Sequence, residues 1–163
     1  MGNKFFSQPL FYSPSTKQTY LPCNRIRPSD VIYFDSTFEC EVYRKLICLV
    51  GCENVKVQIP LQIKPPTSNY PAIHWRCDFR ILKPSHPREY INVEAKGIPT
   101  REFKRNLQYL ELFSPDEFSR LMIIQCGKNI QSIDTCIKSW PLASAIKHLA
   151  CIGYTIYGFP KTS

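Results

Sequence analysis

The fold is decided by two short stretches of sequence, HWRCDFRI at residues 74–81 and INVEAKG at residues 91–97. In each stretch apolar and polar residues alternate, and a period of two residues predicts a β-strand with one buried face. The polar set of the first strand contains Asp78, and that of the second contains Glu94 and Lys96. Only a short loop around Pro84 to Pro87 separates the strands, so an antiparallel pair is expected.

The segments upstream predict a helix followed by another strand. Apolar residues recur at helical spacing between residues 38 and 49, Ser36 with Glu39 forms a capping box, and Gly51 supplies a C-terminal stop. Residues 55–63 then alternate between apolar and polar, which predicts a strand with one buried face. Pro60 within it favours an edge position or a bulge.

The segments downstream complete an α/β pattern. Thr100 is expected to cap a helix that runs to about Phe113, and residues 121–124 form an apolar run typical of a buried, parallel strand. A last helix is predicted over residues 142–149, ended by Gly153, with a final short strand at residues 154–157. The predicted order is α-β-β-β-α-β, then α-β, in a mixed sheet flanked by helices.

Length and charge limit the domain organisation and the class of partner. A chain of 163 residues fits one domain, or one domain with an arm. Residues 1–30 are rich in proline and basic residues, which predicts an extended arm with little core of its own, and residues 31–163 are expected to form the domain. The net charge of +8 favours a polyanionic partner, either nucleic acid or an anionic membrane surface.

The sequence contains no segment that predicts a membrane span and no apolar signal core at its N-terminus. Its eight cysteines include no CxxC pair, and most lie within apolar runs, where a thiol behaves as a small hydrophobic group. Reduced cysteines in a cytoplasmic protein are therefore expected, which includes a phage or mobile-element protein that acts in the host cytoplasm.

Asp78, Glu94 and Lys96 are the residues that suggest chemistry. If the two strands pair, two carboxylates and an ammonium group converge, because residues two apart on a strand point the same way. Neighbouring carboxylates repel each other unless a cation lies between them, and hard oxygen ligands select Mg²⁺ or Mn²⁺. The backbone carbonyl of Ala95 is a natural further ligand. Lys96 is then expected to orient an attacking water or to stabilise developing negative charge.

The spacing of Asp78 and the Glu94-Ala95-Lys96 triplet resembles the D…ExK signature of the PD-(D/E)XK nuclease superfamily, although Cys77 replaces the proline of the motif's name. With Ser36 and Glu39 on the opening helix, the set is similar to phage junction-resolving endonuclease I and to TnsA-type transposon endonucleases. The similarity covers roughly residues 30–125. It implies a restriction-endonuclease-like αβββαβ core and a catalytic, metal-site role for Glu39 as well as for Asp78, Glu94 and Lys96.

The resemblance also implies an activity and partners. A Mg²⁺-dependent endonuclease that hydrolyses DNA is expected, with junction resolution, homing cleavage and transposon-end cleavage all open. A homodimer, or a partner recombination or transposition subunit, is expected because one such site cuts one strand. The alternative is a catalytically inactive nuclease-fold module that binds DNA within a larger assembly. Contacts to DNA phosphates are expected from Arg76 and from one helix face, which carries Arg101, Lys104 and Arg105.

Simpler interpretations of the same residues stay open. Glu39 can serve only the capping box with Ser36, and both of its roles together would require the side chain to swing between them. Asp78, Glu94 and Lys96 can form an exposed patch of ion pairs. The basic face of the 100–113 helix can serve only solubility.

Overall fold

The structure is a computed structural model that describes residues 8–25, 27–127 and 137–156. Its elements in chain order are β1 Leu10–Ser13, β2 Gln18–Tyr20, β3 Ile32–Phe34, α1 Thr37–Val50, β4 Val55–Lys64, β5 Ile73–Lys83, β6 His86–Lys96, α2 Arg101–Phe113, α3 Pro115–Ser119, β7 Leu121–Gln125, β8 Ser139–Pro141 and α4 Leu142–Cys151. The predicted order from α1 to β7 is confirmed, and β8 and the short α3 are additions that the sequence did not suggest.

A mixed five-stranded sheet in the order β4-β5-β6-β7-β8 forms the centre of the described residues. β4, β5 and β6 are antiparallel neighbours, whereas β6, β7 and β8 run parallel. Alternate residues of β7 divide between two buried clusters, since Met122 and Ile124 pack with α1 and α4 while Leu121 and Ile123 pack with α2. The protein is therefore an α/β protein with helices on both faces of a mixed sheet.

Helix α1 begins and ends where the capping residues predict. The Glu39 backbone N–H donates to Ser36 Oγ at 3.1 Å at its N-terminus. At its C-terminus the Gly51 N–H donates to the Ile47 carbonyl, and Gly51 has a φ of 85°, a conformation that glycine adopts without steric cost. This helix packs on the sheet through Val42 and Leu46, which are fully buried.

Strands β4 and β5 change faces together halfway along their length. Val57 pairs with Phe79, and both pack in the core under α1, whereas the next pair, Ile59 and Cys77, packs in the core under α2. Residues two apart on a regular strand share a face, so the backbone must rotate between these pairs. Gln58, which lies at this point, has a φ of 51°. The expectation of one buried face for each strand is therefore wrong. The apolar residues of each strand face the core under α1 on one side of the change and the core under α2 on the other.

A polar network around the buried Asn92 supports the register of β5 and β6 next to Asp78 and Glu94. Asn92 is fully buried; it accepts a hydrogen bond from Arg80 Nε at 2.8 Å and donates one to Glu117 Oε2 at 2.6 Å. Arg80 also forms an ion pair with Glu117 at 3.2 Å, and the Tyr90 hydroxyl donates to the same carboxylate. The network ties α3 to the two strands two residues from Asp78 and Glu94.

The N-terminal segment differs from the predicted extended arm within residues 10–20. β1 pairs with both β2 and β3 in a small antiparallel sheet. Leu10 and Tyr12 are buried, and they join Phe34 in the core under α1. The alternation of Leu10 and Tyr12 with Phe11 is too short to stand out as a strand in sequence. Residues 1–7 lie outside the described residues.

The C-terminal segment does not form the predicted strand in its described part. Residues 154–156 are irregular, and Tyr157 lies outside the described residues. After Gly153, with its φ of 91°, Tyr154 is buried in the core and the Ile156 N–H donates to the Leu49 carbonyl. The chain therefore packs on α1 instead of extending the sheet.

Candidate functional site

A pocket of about 270 Å³ lies at the point where β4 and β5 change faces. Its charged and amide side chains come from the β3–α1 connection, from the first turn of α1, from β4 and β5, and from the end of β6; they are Asp35, Glu39, Gln58, Arg76, Asp78, Glu94 and Lys96. A larger cavity of about 570 Å³ near Trp140 and Phe118 is lined by no carboxylate. Four carboxylates, those of Asp35, Glu39, Asp78 and Glu94, gather in the smaller pocket.

Asp78 and Glu94 are joined by hydrogen bonds that replace the strand ladder. Regular pairing of β5 with β6 ends at Phe79 and Val93. Beyond that pair, the Ala95 N–H donates to Asp78 Oδ2 at 2.8 Å, and the Asp78 N–H donates to Glu94 Oε2 at 3.3 Å. Each carboxylate thus satisfies a backbone N–H on the opposite strand, which holds both side chains in the gap between the strands.

The two carboxylates are energetically costly as a pair of anions. Glu94 is 4% exposed. Burial, followed by repulsion from Glu39, raises the pKa of Asp78 to about 7. Burial, followed by the charge of Asp78, raises the pKa of Glu94 well above its ordinary value. The pocket therefore disfavours two adjacent carboxylate charges that no cation compensates.

Lys96 is held between Glu94 and an aromatic side chain. Its Nζ lies 3.7 Å from Glu94 Oε1 and 4.6 Å from the centre of the Phe103 ring, which belongs to the first turn of α2. Phe103 in turn meets Trp75 edge to face, with ring centres 5.6 Å apart. The ammonium group is thus positioned by an ion pair and a cation–π contact, and it remains partly exposed to the pocket.

Glu39 caps α1 and lines the pocket at the same time. Its Oε1 accepts from the Ser36 hydroxyl at 3.1 Å, and its Oε2 accepts from the Asp35 N–H at 3.2 Å. Burial raises the pKa of this carboxyl. The side chain therefore lies at the pocket wall while it makes its capping contacts. That a metal-site role would require it to swing away from the cap stays a prediction.

Among the pocket residues that the sequence did not identify are Asp35 and Gln58. Asp35 lines the pocket, and its charge contributes to the raised pKa values of Asp78 and Glu39. Its position immediately before the cap residue Ser36 is a signal that could have found it, since the N-terminus of α1 points at the pocket. Gln58 lines the pocket from β4, and its place in a regular alternation gave no signal.

The basic residues expected to contact DNA divide into two groups. Arg76 is exposed and lines the pocket. Arg101, Lys104 and Arg105 lie on α2 and do not contribute to the pocket lining. Arg101 and Arg105 are exposed, Lys104 is half-buried, and Arg105 approaches Glu102 at 3.9 Å. The structure therefore brings Arg76 to the carboxylates and leaves the helix face as a separate surface.

The carboxylate oxygens of the pocket suit a hard cation, such as Mg²⁺, that keeps part of its water shell. The described residues contain no group of three or more His, Cys, Asp or Glu side chains arranged to hold a metal ion. Mg²⁺ commonly takes one or two carboxylates together with waters and substrate phosphates, so a cage of three protein ligands is not required. Asp78, which is half-buried, and Glu94, which is buried, supply two such carboxylates, and Ala95 lies between Glu94 and Lys96 in the pocket lining.

No helix within the described ranges is long and apolar enough to cross a membrane. Comparisons with protein-family models, with curated proteins and with solved structures found no match to this chain. The similarity to PD-(D/E)XK nucleases therefore rests on the motif residues and on the order of the elements. What the structure itself establishes is an α/β protein whose mixed five-stranded sheet carries an acidic pocket with a single lysine at its wall.

Proposed function

We propose that this protein is a metal-dependent DNA endonuclease that hydrolyses phosphodiester bonds with Mg²⁺, for which Mn²⁺ substitutes. One observation carries the proposal: Asp78, Glu94 and Lys96, which form the motif, line the same pocket as Glu39. An exposed patch of ion pairs would not need a buried carboxylate and a half-buried neighbour, both with raised pKa values. Such perturbed groups gathered in a cleft are characteristic of functional sites.

Asp78 and Glu94 would hold the metal ion, with the Ala95 carbonyl and Glu39 as further oxygen donors. A bound divalent cation supplies polarisation of the phosphoryl oxygens and lowers the pKa of a nearby water. The protein's own contribution is to keep both carboxylates aimed into the gap between β5 and β6 through their backbone hydrogen bonds. The high pKa of Asp78 means that the cation must compete with a proton for this ligand near neutral pH.

Lys96 is assigned to the developing negative charge of the reaction. Its Nζ contacts Glu94 and the Phe103 ring, so the ammonium group is oriented before substrate binds. A preorganised cation beside a phosphate stabilises the additional charge of the transition state without reorganisation. The same ammonium group is suited to donating a hydrogen bond to the attacking water, because its ion pair with Glu94 fixes its orientation.

DNA binding is attributed to positive charge around and beside the pocket. Arg76 lies at the pocket itself, while Arg101, Lys104 and Arg105 offer a second surface on α2. The net charge of +8 supports attraction of a polyanion. Cleavage of both strands would require a second active site, from a homodimer or from a partner recombination or transposition subunit. Light scattering on the protein with and without DNA would test this prediction.

The second candidate is a nuclease-like module that binds DNA without cutting it. The absence of a three-ligand acidic group among the described residues favours it. Both candidates bind DNA, so only a metal-dependent cleavage assay separates them.

The deciding experiment incubates the purified protein with supercoiled, linear and four-way-junction DNA, with Mg²⁺ and with EDTA. Asp78→Ala is compared with Asp116→Ala, which removes an exposed carboxylate of α3 outside the pocket. The proposal expects cleavage that needs Mg²⁺, survives Asp116→Ala and is lost in Asp78→Ala, while DNA binding persists in all three proteins. DNA binding without cleavage on any substrate would favour the module instead.

A further inference from the structure

Gln58 has a backbone conformation that its position in the fold does not ordinarily allow. Among the described residues, only Lys17 and Gln58 combine a positive φ with a side chain other than hydrogen, at 58° and 51°. Lys17 lies in the turn of the β1–β2 hairpin, where its N–H donates to the Ser13 carbonyl, and turns commonly contain such residues. Gln58 lies inside strand β4, where a left-handed residue with a long side chain is an outlier.

The conformation of Gln58 coincides with the point where β4 and β5 change faces. Glycine is the residue that best supports a left-handed position in a strand, because it has no Cβ to clash. A purely structural bulge would therefore be better served by glycine. The presence of glutamine at this position indicates that its side chain is the reason for the strain.

The side chain of Gln58 is placed to meet a substrate. It is exposed, it lines the pocket together with Asp78 and Lys96, and its carboxamide forms no hydrogen bond with any described residue. The register of β4 and β5 puts residue 58 opposite Asp78, between the Val57–Phe79 and Ile59–Cys77 pairs. A free amide donor therefore stands on the strand next to Asp78, opposite that carboxylate.

We infer that Gln58 contacts the substrate: its carboxamide N–H donates to a nonbridging oxygen of the phosphodiester held beside Asp78 and Glu94. The inference rests on the proposed nuclease function. A phosphate that enters an acidic pocket needs donors, and a neutral amide provides one without forming an ion pair with the carboxylates. Gln58 would thereby fix the orientation of the phosphate relative to Lys96, while Arg76 supplies charge.

The test measures single-turnover cleavage with saturating DNA and Mg²⁺, DNA affinity in EDTA, and thermal stability. Gln58→Gly removes the amide and relieves the backbone. Gln58→Asn tolerates the left-handed conformation but withdraws the amide by one methylene group. Both are expected to fold and to bind DNA nearly as well as wild type, yet to cleave about 10-fold to 100-fold more slowly because the phosphate is misplaced. Lys17→Gly is the matched control, since it relieves the same strain outside the pocket, and it should cleave normally.

A phosphorothioate at the scissile bond identifies the contact itself. Sulfur accepts a hydrogen bond poorly, so one diastereomer should slow the wild type more than it slows Gln58→Gly, whereas a metal contact would slow both equally. Unchanged cleavage by both Gln58 variants, or equal sulfur effects in wild type and variant, would overturn the inference while leaving the nuclease proposal intact. The proposed function fails if the wild type shows no Mg²⁺-dependent cleavage, or if Asp78→Ala cleaves as the wild type does. In either case the assignment of Gln58 fails with it. Should Gln58→Gly not fold, Gln58→Asn decides.

Discussion

Replacing Asp78 with asparagine should make the metal-free protein more stable while it abolishes cleavage. The pKa of Asp78 is about 7 in the folded protein, against the usual 3.8, chiefly because the carboxyl is buried and secondly because Glu39 is near. Above pH 7 the carboxylate is charged in both the folded and the unfolded chain, and the difference in pKa corresponds to about 4 kcal/mol lost from the free energy of unfolding. Asparagine has nearly the same shape and no charge.

Part of that gain is offset by the hydrogen bond from the Ala95 N–H, which an amide oxygen accepts less strongly than a carboxylate. We therefore expect Asp78→Asn to raise the free energy of unfolding at pH 8 by about 2 to 4 kcal/mol, or the melting temperature by roughly 4 to 16 °C. The raised pKa also fixes the sign of the pH dependence. The folded wild type holds this proton more tightly than the unfolded chain, so its stability should fall as pH rises from about 4 to about 7 and then level off.

The assay is thermal or urea unfolding between pH 4 and 8, with and without Mg²⁺. A cation bound by Asp78 should stabilise the wild type above pH 7, by mass action, and should stabilise Asp78→Asn much less. The part of the pH dependence due to Asp78 should vanish in the variant, leaving the contribution of Glu94, whose pKa is also raised. Lower stability of Asp78→Asn than of wild type at pH 8, or equal stabilisation of both by Mg²⁺, would refute the reasoning.

Three further predictions follow from the pocket and its surroundings. Lys96→Ala should slow single-turnover cleavage by a factor on the order of 10² or more. Lys96→Arg should not restore the rate, because a planar guanidinium does not replace a compact charge between Glu94 and Phe103. A fully active arginine variant would contradict this role. Glu39→Gln keeps the capping box and removes a charge whose burial raises its pKa, so it should melt no lower than wild type yet lose cleavage. Ser36→Ala should instead cost about 1 kcal/mol of stability, and Glu41→Ala, which removes an exposed carboxylate of the same helix, should change neither measurement. Converting Arg101, Lys104 and Arg105 to glutamine should weaken binding to all DNA sequences alike and flatten the dependence of log affinity on log salt by roughly 2 to 3; an unchanged slope in a folded variant would mean that this face is ordinary solvated surface.

Periodicity and caps were sufficient to predict most of the elements that carry the site. Helix α1 could be bounded because Ser36 and Gly51 act locally, and α2 because its apolar stripe of Phe103, Leu107 and Leu110 repeats at helical spacing. The parallel direction of β7 followed from the helix that precedes it, and the structure shows that its parallel neighbour is β6. In each case the deciding interaction lies within a few residues of the chain.

The remaining features depend on contacts that local sequence does not encode. The change of faces at Gln58 preserves the alternation of apolar and polar residues, so a pattern of period two cannot distinguish it from a regular strand. Asp35 enters the pocket because β3 delivers it beside α1, and β8 is held by its pairing with β7 instead of by an apolar pattern of its own. The convergence of Asp78 with Glu94 was foreseeable from strand phase, but the loss of regular pairing beyond Phe79 and Val93, which opens the gap for them, was not.

The two outer strands of the sheet limit how a second copy of the chain could associate. β4 is a long edge strand, but it contains Pro60, which lacks a backbone N–H, and the kink at Gln58, while Lys56 and Lys64 add like charges. β8 is three residues long and ends in Pro141. Such edge strands are poor templates for β-sheet pairing with another molecule. A dimer is therefore not expected to continue the five-stranded sheet through β4 or β8, which would leave the mouth of the acidic pocket beside β4 open to a duplex.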